Sequence, residues 1–529
     1  MTLTPRRRRT LAVLGVLALA LIVFALPAGR RPFWSSDEAR FALLAQDILD
    51  HGRWLVPRLR GELYLNKPQL FFWSIAVVSL PAGRVTELTA AIPTVASALA
   101  TVGAVIAIGR LLWDLRVGLL AAVVLIATAP FYAFSHVALA DMMMTAYMTW
   151  AMYFMLRAQR RDVGAVVLLA FYLCVAAAVL AKGPAGLAVL AAALVATAVT
   201  GGPPALRRLK PWYGLGVLAV TATVWFAPYL VQSGGGFVSR VLVGHYAPWY
   251  FSGGLAARLV RFIALLGNFL PWTVLLAAAV AWWPRCPDPG RRWIGTATMT
   301  LVVIVGLSGH QRARYLLPTY PGLALLVAEF VGRAGAEGGR RALAVGLWLS
   351  AAVAVGAAVA VPFLGNLVAG DDRVYLPGGH VEVVIIVLCA LGAALSQALG
   401  AVRGAFAAGT AGAALCIAAA MVVEGVTYPA RFARYSDPRP LVEAILREGP
   451  PGAAVVAYPD AHLSFDFYVH RPVIEAATPE KVAAWVTSVP AVVITTDTDS
   501  SALAPVLGPS ARVVARRDVG GRRYVVIVP

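Results

Sequence analysis

Apolar residues run in long blocks from about residue 11 to 424, punctuated by short polar stretches. The blocks fall at about 11–28, 88–110, 117–135, 142–158, 163–181, 184–200, 212–230, 258–283, 293–308, 314–331, 343–363, 382–400 and 404–424. An α-helix rises about 1.5 Å per residue, so roughly 20 apolar residues span the hydrocarbon core of a bilayer. The pattern predicts a mainly α, polytopic membrane protein with about 13 transmembrane helices.

Basic residues orient these helices. Arg6 to Arg9 precede the first block, and with 13 crossings the stretches Arg110–Arg116, Arg157–Arg161, Arg207–Lys210, Arg285–Arg292, Arg333–Arg341 and Arg403 share one side. The positive-inside rule makes that side cytoplasmic. The basic start also suits a signal peptide, but no small-x-small cleavage pattern precedes Arg30. The reading is a retained first helix with a cytoplasmic N-terminus. Residues 68–83 are apolar and aromatic but short, and counting them as a crossing would invert the charge pattern. They are expected to form an interfacial or partly inserted helix on the outer face.

Beyond about 425 the texture changes. Tyr428 to Asp437 reads as a polar linker. Helical patterns at Arg439–Glu448 and Lys481–Val489 alternate with β-branched runs at Ala453–Ala457, Ala491–Thr495 and Arg523–Val528. The expected division is a transmembrane domain over 1–424, with an outer-face first loop at about 30–87, and a small soluble α/β domain over 425–529 outside the membrane.

Composition agrees with the pattern. Of 529 residues 60% are hydrophobic and 13% charged, and mean hydropathy is +0.76, which excludes a soluble domain of this size. The net charge of +19 lies mostly in the arginine clusters between apolar blocks, so it reads as membrane anchoring and not as a nucleic-acid surface. The cysteines Cys174, Cys286, Cys389 and Cys416 lack zinc-site spacing and suggest no disulfide framework.

The candidate chemistry lies at the outer edge of the membrane. Trp34-Ser35-Ser36-Asp37-Glu38-Ala39-Arg40-Phe41 is followed some thirty residues later by Asn66-Lys67-Pro68. Charges stranded at a membrane edge are costly and usually functional. The topology puts Asp141, His136, His245, Arg312, Arg314 and Tyr315 on the same side. Each has a structural alternative. Asp37 and Asp141 suit helix N-caps, Glu38 suits dipole support, and Arg40 is spaced as an i,i+3 partner of Asp37. Lys67 suits interfacial snorkelling, Lys182 a helix-end anchor, and Arg312 and Arg314 lipid headgroups. Tyr246 to Phe251 read as a lid or an aromatic belt.

The motifs Asp37-Glu38-x-Arg40, Trp54-Leu55-Val56-Pro57-Arg58-Leu59 and Asn66-Lys67-Pro68-x-Leu70-Phe71 resemble the aminoarabinose transferase and protein mannosyltransferase group. The resemblance continues through Leu139-Ala140-Asp141, Ala181-Lys182-Gly183-Pro184 and Arg314-Tyr315-Leu316-Leu317-Pro318, then through Tyr435 to Leu441 and Phe467 to Pro472. Members of this group are integral-membrane GT-C glycosyltransferases that use polyprenyl-phosphate-linked sugars. The resemblance implies a GT-C fold in a bacterial inner membrane. It implies transfer of a sugar from a polyprenyl phosphate to a lipid A or other envelope acceptor on the outer face. It carries a catalytic role onto Asp37 and phosphate-holding roles onto Arg40 and Lys67, while placement on the outer face adds Asp141 and Glu38 as candidate catalytic residues and Arg312, Arg314, Tyr315 and His245 as candidate substrate-binding residues.

A lipid phosphate already leaves as a stable anion, so such a site needs a carboxylate to take a proton or steer the nucleophile, and cations to hold the phosphate. Displacement opposite the phosphate would invert the anomeric carbon. Two rival readings are a protein O-mannosyltransferase-like enzyme and a non-enzymatic carrier or flippase of lipid-linked precursors. One departure concerns metal. The group often has an acid before the lysine and a second proline, where this chain has Asn66 and Gln69. The amide is a poor ligand, and no obligatory metal or other cofactor is expected.

Overall fold

The computed structural model describes residues 4–159, 164–233, 236, 239, 243–244, 246, 248, 250, 254–282, 288–310, 312–364, 376–519 and 521–529. The chain opens with α1 (Pro5–Ala25), then α2 (Ser36–His51), a short hairpin of β1 (Arg58–Leu59) and β2 (Glu62–Leu63), and α3 (Leu70–Ser79). The bundle continues with α4 (Glu87–Leu112), α5 (Leu115–Ile126), α6 (Ala129–Phe134), α7 (Ala140–Ala158), α8 (Ala165–Lys182), α9 (Ala188–Arg207) and α10 (Pro211–Ser233). After it come α11 (Leu255–Leu266), α12 (Thr273–Trp282), α13 (Pro289–Gly306), a 3-10 stretch Ala313–Thr319, α14 (Tyr320–Arg333), α15 (Arg340–Ala360), α16 (His380–Arg403) and α17 (Phe406–Ser436).

Helix occupies every apolar block. Among the described residues nine helical stretches are long and apolar enough to cross a membrane. The other four blocks hold shorter, broken or more polar helices. The block at 117–135 breaks between α5 and α6, where the Thr128 hydroxyl turns back to the Val124 carbonyl at 2.8 Å and Pro130 opens the next helix. The block at 258–283 breaks over Gly267–Phe269, ahead of Pro271. Residues 68–83 contain only the ten-residue α3 and a 3-10 turn, too short to span about 30 Å of hydrocarbon.

The helices sort by burial. Ala313–Arg333 is 89% buried and forms the centre of the bundle, whereas Pro5–Ala25 is 17% buried and shows most of its apolar surface outward. Such exposure suits lipid and would be unstable in water. At one end of the bundle Arg291 on α13 pairs with Glu329 on α14, both almost fully buried.

The C-terminal part contains a five-stranded sheet of order β4-β3-β5-β7-β6. Its strands are β3 (Ala454–Tyr458), β4 (Ile474–Glu475), β5 (Ala491–Thr496), β6 (Arg512–Val519) and β7 (Arg522–Val528). β3 runs parallel to β4 and β5, and β7 runs antiparallel to β5 and β6. The central β5, Ala-Val-Val-Ile-Thr-Thr, is buried along its whole length because both faces are covered. α18 (Arg439–Glu448) and α19 (Ser464–Val469) pack on one face through Leu441, Ile445, Phe465 and Val469. α20 (Pro479–Ser488) and α21 (Ser500–Leu507) pack on the other through Val482, Leu503 and Leu507.

The expected linker at 428–437 is instead helical up to Ser436. Phe432 is buried there beneath the Arg31 guanidinium, 5.4 Å from its ring centre, so the segment is packed and not solvated. This C-terminal domain sits directly on the first loop. The Tyr468 hydroxyl donates to Glu87 Oε1 at 2.8 Å and accepts from the Phe33 N–H at 3.0 Å. Arg60, at the hairpin tip, pairs with Asp466 at 2.7 Å and also with Glu475.

Candidate active site

α2 starts at Ser36 because Ser35 caps it, its hydroxyl accepting the Glu38 N–H at 3.2 Å. Asp37 is therefore not the cap, and its carboxylate is free to face a cleft. Asp141 sits in the first turn of α7, whose N-cap Leu139 makes no side-chain cap bond. It too is not a cap. Lys182 ends α8. Both acids thus lie at helix N-termini and the lysine at a C-terminus, each matched to the helix dipole.

These groups converge. Arg314 Nη2 donates to Asp37 Oδ2 at 2.7 Å, and Arg312 Nη1 lies 3.8 Å from the same oxygen. Arg40 bonds the other oxygen, Oδ1. Asp141 Oδ1 takes the Lys182 ammonium, and Asp141 Oδ2 lies 3.9 Å from Arg314 Nε. Arg314 therefore bridges the two acids. Among the described residues its buried Nε has no hydrogen-bond partner, and it is a donor that a phosphate oxygen would satisfy. Tyr315 lies beneath Lys182, with the ammonium 4.4 Å from the ring centre.

Electrostatics follows the geometry. Burial pushes the Asp37 carboxyl upward, but Arg314 and Arg40 outweigh it and hold the group below the usual carboxylate range. Lys67 is brought down to about 8, first by burial and then by the like charge of Lys182. Burial takes Tyr64 up to about 12, partly opposed by Arg40. Lys67 has no carboxylate partner among the described residues and stands 5.6 Å from the ring centre of Tyr246.

The loop around Lys67 is held by tyrosines. Tyr246 Oη donates to the Asn66 carbonyl at 2.9 Å and Tyr229 Oη to the Lys67 carbonyl at 3.2 Å. Gly183, at φ +85°, leaves room for this: a Cβ there would lie 2.6 Å from the Tyr246 hydroxyl. Gln69 is fully buried and donates to the Leu55 carbonyl at 3.1 Å.

A polar cleft of about 470 Å³ is lined by Asp37, Arg40, Lys67, Asp141, Lys182, Arg312, Arg314 and Tyr315. It shares Lys67, Lys182 and Tyr315 with a second cavity of about 320 Å³. That second cavity is apolar, with Met144, Met148, Leu187, Leu301 and Val305 in its wall. The arrangement can hold an anionic group at the joint and an apolar chain beyond it.

The candidates from sequence divide accordingly. Asp37, Arg40, Lys67, Asp141, Arg312, Arg314 and Tyr315 meet in the cleft. Glu38 does not. It is buried at 2% exposure, takes Arg31 bidentately at 3.0 and 3.2 Å, and lies outside the cleft wall. His245 lies outside the described residues. His136 is buried beside Ser135, its pKa lowered to about 3 by burial, and is absent from the cleft wall. Lys182, read as a helix-end anchor, lies in the cleft, as do Tyr64 and Asn66. Among the described residues no three of His, Cys, Asp and Glu gather as a metal-ligating group, and both cleft carboxylates are covered by cations.

Fold and site together define a polytopic helical membrane protein with a cleft where five basic side chains meet two carboxylates. Comparison with known proteins agrees. A family model described as dolichyl-phosphate-mannose-protein mannosyltransferase matches residues 66–230. The undecaprenyl phosphate-alpha-4-amino-4-deoxy-L-arabinose arabinosyl transferase of Pectobacterium carotovorum subsp. carotovorum is 27% identical over 391 residues, 71% of this chain and 69% of the relative. In structure the chain is similar to ArnT from Cupriavidus metallidurans bound to undecaprenyl phosphate, with a TM-score of 0.78, 21% identity and 97% of each chain covered. The apo form of that protein gives 0.77 and 22% over the same coverage. The chain is thus aminoarabinose-transferase-like in sequence and fold.

Proposed function

We propose that this protein is a glycosyltransferase that moves a pentosyl or hexosyl group from a polyprenyl phosphate to an acceptor of the cell envelope, a lipid A-type lipid or glycan. The site works at the outer face of a bacterial inner membrane, with the N-terminus cytoplasmic and the C-terminal domain outside. The observation that carries this reading is the joint between the polar cleft and the apolar cavity, where Lys67, Lys182 and Tyr315 belong to both. A polyprenyl phosphate has that construction, an anion continuous with a long apolar chain.

The chemistry follows from the residues. Lys67, Arg314 and Arg40 hold the phosphate, the arginines able to grip two oxygens each. The same arginines cover Asp37. A phosphate drawing them away raises the proton affinity of Asp37 when a base is needed. The acceptor hydroxyl oxygen then forms a bond to the anomeric carbon as the carbon–oxygen bond to the phosphate breaks. The proton passes to Asp37 and polyprenyl phosphate leaves as an anion. Attack opposite the leaving group inverts the anomeric centre. Lys182 and Arg314 hold Asp141 at the cleft wall, where it orients donor or acceptor hydroxyls.

The test is release of free undecaprenyl phosphate from a panel of undecaprenyl-phosphate sugars by the purified protein, with lipid A, envelope glycan and peptide acceptors. Turnover on lipid A or glycan supports the reading. Turnover confined to peptide would favour protein mannosyl transfer, the alternative that the family match at 66–230 supports. Donor binding with no turnover on any acceptor would favour a carrier.

A further inference from the structure

We propose that the seam between the first loop and the C-terminal domain holds the acceptor, by binding the phosphate of an anionic glycolipid from the outer leaflet. This assignment rests on the transfer reading above and gives its acceptor a site and a chemical class.

A cavity of about 510 Å³ lies in that seam, within the range of about 300–1,000 Å³ usual for ligand pockets. One wall comes from the end of α2, the β1–β2 hairpin and Arg84, the other from the C-terminal domain between Asp466 and Pro472. Arg60 and Asp466 lock the two walls together at 2.7 Å, so the cavity is a built part of the fold.

Its charge is unbalanced. Arg53, Arg58, Arg60, Arg84 and Arg471 line it against Asp47, Asp50 and Asp466. Asp47 accepts from Arg53 at 2.9 Å and Asp466 from Arg60, whereas Asp50 takes the Gln46 amide at 2.7 Å. Among the described residues Arg58, Arg84 and Arg471 have no carboxylate partner, and the buried Nε of Arg471 has no hydrogen-bond partner. Three uncommitted guanidiniums around one cavity suit a phosphate, whose oxygens accept from each fork.

Two neighbours say which phosphate. Arg84 follows the exposed Val77 and Leu80 and precedes the exposed Leu88 and Ile92, and its turn is tied to α2 by the Val85 N–H donating to Gln46 Oε1 at 2.8 Å. The arginines therefore border apolar surface of the kind that faces lipid, and their ligand carries apolar chains. Leu59 lines both this cavity and the cleft of Asp37 and Asp141. A headgroup on the arginines is thus separated from the reacting groups by one shared residue. The joint at Lys67 and Lys182, assigned to the donor, stays free. A lipid bearing both a phosphate and sugar hydroxyls meets both ends, its phosphate in the seam and a hydroxyl across Leu59 towards Asp37.

Binding of labelled lipid A to the full-length protein in detergent, with the donor site filled by undecaprenyl phosphate, tests this. The unaltered protein should bind the phosphorylated lipid at least about tenfold more tightly than the same lipid stripped of its phosphates. Arg84→Gln combined with Arg471→Gln should abolish about tenfold of that preference, and the corresponding lysine pair should keep most of it. Unchanged binding of undecaprenyl phosphate alone checks folding, and the exposed Arg84→Gln by itself, with a loss of about threefold, carries the test if the double variant fails that check. An unaltered protein without the phosphate preference, or a preference that the glutamine variants keep, overturns the inference. Competition by phosphatidylglycerol or inorganic phosphate as strong as that by unlabelled lipid A also overturns it, making the seam a bulk-lipid or free-ion site. So does turnover confined to peptide. Turnover on lipid A whose acceptor KM ignores both substitutions sinks this site and leaves the transfer reading intact. Binding that obeys these expectations with no turnover on any acceptor sinks the transfer reading instead and leaves the seam a phospho-glycolipid site.

Discussion

Arg314 reaches Asp37 at 2.7 Å across 277 residues of chain, and the same guanidinium lies 3.9 Å from Asp141. One arginine from the central helical stretch therefore fixes the spacing of two acids supplied by different helices. Asp37→Asn keeps the shape of this arrangement and removes its charge. Turnover should fall by about 10²–10⁴, the usual worth of a positioned base, while undecaprenyl phosphate binding persists or tightens as Arg314 and Arg40 are released. Equal turnover in the variant would take Asp37 out of the chemistry.

Lys67 gives the site an alkaline limit. With its pKa at about 8, its positive charge is complete near pH 6 and is lost as pH rises through 8. The kcat/KM for donor, which reports the free enzyme, should therefore decline above pH 8. Asp37, held low, stays ionised throughout that range and adds no limb there. Lys67→Arg should move the decline upward out of the measurable range, and an unchanged profile would remove Lys67 from phosphate binding.

The Arg31–Glu38 pair is buried on both sides, at 8% and 3% side-chain exposure. Removing one partner strands the other, at about 3–5 kcal/mol. Glu38→Gln should lower thermal stability by several degrees. Exchange of both residues for methionine should recover most of the loss, as read by the unfolding midpoint in detergent. A Glu38→Gln protein that melts normally yet fails to turn over would restore Glu38 to a direct role.

Gly183→Ala meets two obstacles, a left-handed backbone and the Tyr246 hydroxyl 2.6 Å from the new Cβ. Tyr246 must shift and release the Asn66 carbonyl, loosening the loop that presents Lys67. Donor KM should rise about tenfold with a smaller change in kcat. A change in kcat alone would separate Gly183 from donor binding.

The apolar blocks and the strand pattern near the C-terminus were legible because each needs only local periodicity. Arg40 was legible as a neighbour of Asp37, since residues three apart share a helix face. The same geometry argues against Glu38 in the cleft, because adjacent helical residues point about 100° apart. Asp37, Lys67 and Asp141 stood out through their motifs. Lys182 did not, because a lysine at a helix end looks like an interfacial anchor until its partner, 41 residues away, is brought beside it. The helical breaks at Thr128 and Gly267 were hidden within runs of high hydropathy, where length alone suggests one continuous span. The segment before Asp437 looked solvated because its burial comes from Arg31, on the far side of the chain.

The contacts of Tyr468 and Arg60 make the covalent boundary near residue 437 a poor guide to energetic independence. Cutting the chain there would leave Glu87 without the Tyr468 hydroxyl, Arg60 without Asp466 and Glu475, and Phe33 without the Phe467 ring 4.9 Å away. All three stranded residues belong to the first loop or its borders, the segment that also carries Asp37 and Lys67. The C-terminal domain is thus the roof of the loop that carries Asp37 and Lys67, and swapping it between relatives would require the loop to be exchanged with it.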